Sequence, residues 1–196
     1  AAQRRFGTQG RFRSAWALGS GSRLRRGRND KARCCGGRVI RAQDLPLRFI
    51  ATSVVMYLIV SIQGSLQAQM SINRAVHFSD WVIGHSHLAM LGFATFAAAG
   101  GLAHAWQKIP GARYNPQAME QAYWMLLTGV VLMVTDLTSA GIVEAQLWQS
   151  SAPWLDSIRA AKPYWTLRSI SAIPIVAGFI LYAVGLTTGR RNEPAA

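Results

Sequence analysis

The chain has 196 residues, 51% of them hydrophobic and 15% charged, yet 21 Lys and Arg face 8 Asp and Glu, a formal charge of +13. This composition argues against an ordinary water-soluble domain. An evenly basic surface is excluded as well: residues 1–48 hold 13 basic residues against Asp30 and Asp44, a balance of +11, and the rest of the chain balances at +2.

Residues 1–44 form a leader rich in Arg, Gly, Ala and Ser with no acid before Asp30. Nothing in it predicts a packed core. Such a segment could act as a transit-like or membrane-surface sequence, or neutralise phosphates. The reading given more weight is an unrelated or out-of-frame start ahead of a membrane segment, so the leader is assigned no function and no nucleic-acid partner is expected. Cys34 and Cys35 are adjacent, which suits neither an ordinary disulfide framework nor a haem-attachment motif, and they read as plain thiols.

Beyond the leader the sequence predicts an all-α integral membrane protein. Trp81 to Gln107 and Ser169 to Gly189 carry no Asp, Glu, Lys or Arg. A hydrocarbon core of about 30 Å takes about 20 helical residues, so each run can span it. Phe49 to Met70 is also uncharged, though Gln63, Gln67 and Gln69 make its far end polar, and Gln121 to Thr135 is apolar with a helix expected to continue past Asp136. Four transmembrane helices are expected at about 47–70, 81–106, 119–146 and 166–189, within a region 45–190 followed by a tail, 191–196.

Basic residues favour the cytoplasmic side of bacterial membranes. Arg38, Arg41 and Arg48 precede the first span, Lys108 and Arg113 follow the second, and Arg190 and Arg191 follow the fourth, which places both termini in the cytoplasm. Arg74, Arg159, Lys162 and Arg168 fall on the other side, and Lys162 and Arg168 ask for a separate explanation.

Three of the four histidines, His77, His85 and His87, lie in HFSDWVIGHSHLAML. Ring nitrogens in hydrocarbon are costly without a partner, so an intramembrane pair points to ligation. At about 100° and 1.5 Å per residue, His85 and His87 project about 200° apart at nearly one depth. They cannot readily converge on a single metal, which disfavours a shared zinc site. Two haems flanking one helix, each iron taking a neutral imidazole, is the candidate the spacing favours. Propionates would then project towards the loops that carry His77, Arg74 and Arg168, with Arg168 the strongest choice for pairing a carboxylate.

The block HFSDWVIGHSHLAMLGFATF, with IQGSLQAQ before it and KPYWTLRSISAIPIVAGFILYAVGL after it, resembles the C-terminal part of subunit I of haem-copper oxidases, closest to the cbb3-type cytochrome c oxidase branch. The resemblance covers about residues 45 to 190 and implies the last four helices of a twelve-helix subunit. It implies His85 as proximal ligand of a high-spin haem b where oxygen is reduced, and His87 as one axial ligand of a low-spin haem b. It also implies His77, Asp80 and Arg168 near the haem propionates. His104 matches no ligand position and reads as interfacial.

The second low-spin ligand, the three copper histidines and the redox-active tyrosine come from earlier helices in that family, and His77 and His104 cannot supply them. The expected function is part of a terminal oxidase that reduces oxygen with electrons from cytochrome c and translocates protons. Activity of the chain alone is not expected, and copper ligands are absent. The chain is therefore expected to be a fragment, a split subunit or a truncated frame. Expected partners are lipid and other oxidase subunits, including c-type cytochrome subunits, or the missing N-terminal part of subunit I, in a bacterial inner membrane. A nitric oxide reductase fragment and a non-catalytic haem-binding membrane protein are the alternatives. Asp136 and Glu144 read either as part of a proton path or haem-propionate network leading outward, or as a helix-packing polar cluster and an interface carboxylate.

Overall fold

The computed structural model describes residues 45–189. The leader with Cys34, Cys35, Arg38 and Arg41, and the tail with Arg190 and Arg191, lie outside the described residues. The described elements are all helical: α1 Leu45–Gln67, α2 Met70–Val76, α3 Asp80–His87, a π-helical stretch Leu88–Ala94, α4 Thr95–Trp106, α5 Pro116–Gln149 and α6 Trp154–Thr187. Four continuous helical runs are long and apolar enough to cross a membrane: Leu45–Gln67, Asp80–Trp106, Pro116–Gln149 and Trp154–Thr187.

Local chemistry sets the boundaries. The first span stops at Gln67 because Gln69 adopts an extended conformation (φ −70°, ψ 131°), and the chain re-enters a helix only for the short α2. Ser79 then caps α3, its hydroxyl accepting from the Trp81 N–H at 3.3 Å, and Asp80 adds a carboxylate in the first turn, where the helix dipole favours it. Asn115 caps α5 and Pro116 opens it, its missing N–H costing nothing at that position.

Two features differ from the expectation. The second span is not a uniform α-helix: from Leu88 it widens into seven π-helical residues, ending where the Thr95 N–H reaches the Met90 carbonyl five residues back. Such segments frequently accompany functional sites. The fourth helix begins at Trp154, not at 166, and runs through Pro163 and Pro174. Asp156, Arg159 and Lys162 disfavour burial of its early turns in hydrocarbon but do not oppose helix formation, and an Asp156–Arg159 pair at 3.2 Å supports it. At 1.5 Å per residue α6 is ~51 Å long, well beyond a hydrocarbon core of ~30 Å.

The helices are tied together at the end away from His85 and His87. Phe49 of α1 meets Tyr123 of α5 at 5.1 Å, Phe96 of α4 at 5.7 Å and Tyr182 of α6 at 5.9 Å between ring centroids, so one side chain touches the three other spans. The two tyrosine hydroxyls in this knot are satisfied. Tyr182 donates to the Ala99 carbonyl at 2.6 Å and Tyr123 shares a hydrogen bond with Thr52 at 2.8 Å. Nearby Arg48 pairs with Glu120 at 3.1 Å and lies over the Tyr123 and Trp124 rings. Val54, Val55, Leu58, Ile59 and Ile62 of α1 face outward as an apolar surface.

Candidate functional site

His85 and His87 close the last α-helical turn before the π-helical stretch. They lie five and seven residues past Asp80, ~7–10 Å along the axis. The stripe between them is fixed by Gly84, which packs against α5: a Cβ there would fall 3.2 Å from Leu137 Cβ and 3.3 Å from Thr138 N. Buried Leu88 continues the stripe. With Gly84 and Leu88 facing inward, the helical period sends the two imidazoles to opposite flanks of the α3–α5 seam.

Each ring has a distinct environment. His85 lies against α1, where a Cβ on Gly64 would sit 3.0 Å from its Cε1 and 3.5 Å from its Nε2. The absent Cβ of Gly64 is therefore what leaves room for this ring. The His85 Nδ1 is buried without a hydrogen-bond partner, as are the amide oxygens of Gln63 and Gln67 on α1. His87 lies on the other flank, with its Nδ1 2.8 Å from the Ile83 carbonyl. That carbonyl can only accept, so Nδ1 carries the proton and the Nε2 lone pair is left available. A backbone carbonyl on the second nitrogen is the usual partner of a metal-bound histidine.

The other expected residues separate. Asp80 is 7% exposed and bound into the protein: its Oδ2 accepts from Trp165 Nε1 of α6 at 3.0 Å, and its N–H donates to Glu144 Oε2 of α5 at 2.8 Å. As a carboxylate it would repel a propionate, so its observed work is to join α3 to α5 and α6. Arg168 is half-buried on α6 and, among the described residues, forms no ion pair. His77 is exposed on the turn before α3, its ring 4.4 Å from that of Phe78, and is not gathered with the pair. His104 lies in the last turn of α4, at the far end of the same span. Asp136 is 4% exposed with both oxygens unpartnered, a state that costs several kcal/mol if the group is charged and left so.

Gln63 and Gln67 had read only as the polar end of a span. Their spacing of four residues, one turn of one face, was the available signal.

The residues present fit haem. One imidazole lies on each flank: His87 has Nδ1 held by the Ile83 carbonyl, and His85 has Nδ1 buried without a partner, so each could hold the iron of a separate haem through its Nε2. Among the described residues no group of three or more His, Cys, Asp or Glu could hold a bare metal ion. A cleft of about 690 Å³ lies elsewhere, lined by the connection that carries Lys108, Arg113 and Tyr114.

Residues 32–174 match the family model described as cytochrome c and quinol oxidase polypeptide I. The chain belongs to this family. The match takes in His85 and His87. Among curated relatives, the chain is 26% identical over 149 residues to the Cbb3-type cytochrome c oxidase subunit CcoN1 of Stutzerimonas stutzeri, covering 71% of this chain and 31% of that protein. It is 25% identical over 165 residues to a cytochrome c oxidase subunit 1 homolog of Agrobacterium tumefaciens (strain T37), covering 78% and 31%. A solved heme-copper terminal oxidase dimer shares the fold, with a TM-score of 0.63, 16% identity and coverage of 78% of this chain and 28% of that one. The chain thus spans just under a third of the length of these relatives. It is a multi-pass membrane protein with part of an oxidase subunit I fold.

Proposed function

We propose that residues 45–190 form the haem-ligand end of subunit I of a cbb3-type cytochrome c oxidase, corresponding to its last four helices. His85 is the proximal ligand of the high-spin haem b and His87 one axial ligand of the low-spin haem b. The observation that carries this reading is the pair of imidazoles on opposite flanks of one helix, one set in the space left by Gly64 and the other held through Nδ1 by the Ile83 carbonyl. The resemblance of the histidine block to the cbb3 branch, and a relative named as a cbb3-type subunit, support the choice of branch.

In the assembled enzyme haem would supply one-electron transfer and, at the high-spin centre, oxygen reduction. The work of this chain is to place and tune. His87 presents Nε2 because Ile83 fixes its tautomer and ring plane. His85 would present Nε2 once Nδ1–H finds an acceptor; Gln63 and Gln67, on the helix whose Gly64 meets this ring, carry buried amide oxygens without a partner and are the groups assigned to that task. Carrying both ligands within three residues of one rigid turn keeps the two irons in fixed relation. Arg168 faces the propionates, and Asp80 acts by holding Trp165 and α6 in place. His77, exposed beside Phe78, is at most a peripheral contact.

The remaining axial ligand and the copper site would come from other helices, so oxygen reduction with electrons from cytochrome c is an activity of the assembly. Its partners are the rest of subunit I and the c-type cytochrome subunits, in a bacterial inner membrane with both termini cytoplasmic. A pyridine haemochrome spectrum of the complex purified through this chain tests the reading. Haem b at two per chain is expected, and a complex without haem b would overturn it.

A further inference from the structure

α5 and α6 form an antiparallel pair in fixed register. A Cβ at Gly129 would fall 2.6 Å from Ile175 Cγ1, one at Gly178 would fall 2.7 Å from Leu126 Cγ, and one at Gly185 would fall 2.9 Å from Met119 Cγ. Each step forward on α5 in these contacts is matched by an equal step back on α6. Carried seven residues past Gly129 and seven before Ile175, the register sets Asp136 against Arg168.

Both residues lie on the facing stripes. Asp136 belongs to the buried series Gly129, Met133, Ala140 of α5, and Arg168 falls at helical spacing among Ala161, Ser171 and Ile175 of α6. Asp136 has two buried oxygens without a partner, and Arg168 carries no ion pair among the described residues. Asp80, on the adjoining helix α3, already accepts from Trp165. The level along the bundle is that of the histidines, because Gly84, next to His85, packs on Leu137, next to Asp136.

We propose that Asp136 is the counter-ion and positioning residue of Arg168, holding the guanidinium across the α5–α6 seam so that its remaining N–H groups face an anionic carboxylate of the bound cofactor. A change of Arg168 rotamer closes the pair. Asp136 takes up part of the five-donor fork and leaves the rest free, which a lysine could not reproduce. The proposal rests on the haem reading above and adds a residue to it.

The test uses the haem-loaded membrane complex with D136N, D136E, R168Q and the double variant D136N/R168Q. Redox titration of D136N is expected to show one haem with a raised midpoint potential, since the uncompensated guanidinium favours the reduced state. D136E is expected to return the potential towards wild type, and the shift caused by D136N is expected to shrink in the R168Q background. A D136N complex with full haem content and the wild-type potential overturns the proposal, as does a shift of equal size with and without Arg168. If D136N does not assemble, the double variant, which removes both charges, should. Failure of both also overturns the proposal. A wild-type complex without haem defeats the haem reading instead, and the thermal-stability cycle of the same four variants with wild type then decides the pair: coupled losses support it and additive ones overturn it.

Discussion

The two ends of the bundle are built on opposite principles. At one end Phe49, Phe96, Tyr123 and Tyr182 interlock from four helices, and the tyrosine hydroxyls are hydrogen-bonded. At the end that carries His85 and His87, Gln63, Gln67, Trp81, His85 and Asp136 bury polar atoms without partners, whereas Trp106 is the one such residue towards the aromatic end among the described residues. Buried polar atoms are rarely left unmatched in a finished structure. The contrast separates an end that holds this chain together from one that carries most of the unmatched buried polar groups among the described residues.

Breaking the aromatic knot should have the largest effect on stability. Phe49→Ala removes the side chain that touches the three other spans, and a loss of about 3–5 kcal/mol is expected on the scale of buried Phe truncations. Thermal unfolding of the detergent-solubilised complex reads this. A loss below about 1 kcal/mol would remove the stabilising role given to that end.

Gly64→Val probes the opposite end and should reverse the pattern. Even a Cβ would sit 3.0 Å from His85 Cε1, so a branched side chain must push the ring away from its position. Haem content is expected to fall with little change in the unfolding midpoint. If haem content and its optical spectrum stay at wild-type values, the Gly64 space is not what seats His85.

Tyr182→Phe is a smaller cut in the knot. It deletes one buried hydrogen bond to the Ala99 carbonyl and keeps the ring, so a loss of about 1 kcal/mol is expected with haem spectra unchanged. Replacing exposed His77 by Ala should be nearly silent in both stability and haem content. A marked loss of haem in that variant would mean the turn before α3 closes over the site.

The sequence made the four spans legible because uncharged apolar length is a local property. It did not show the π-helical stretch Leu88–Ala94, since hydropathy carries no information on which carbonyl an N–H reaches. The early turns of α6 were missed because apolar windows end at charges, whereas helices do not. His85 and His87 are legible as a candidate pair from their place in an uncharged run and their spacing, whereas the haem assigned to each rests on the resemblance. Gln63 is not legible in this way, because its significance lies in being buried beside Gly64 with no partner, and the facing of Asp136 and Arg168 depends on a register between two helices.

Electron paramagnetic resonance of the oxidised complex in H85A and H87A tests most directly the claim that one helix serves two separate haems. H87A is expected to lose the low-spin haem b signal, with any c-type haem signals unchanged, and retain a high-spin haem, and H85A to retain the low-spin haem b signal while the high-spin centre is lost. Identical spectra from the two variants, or retention of both signals in either, would contradict it.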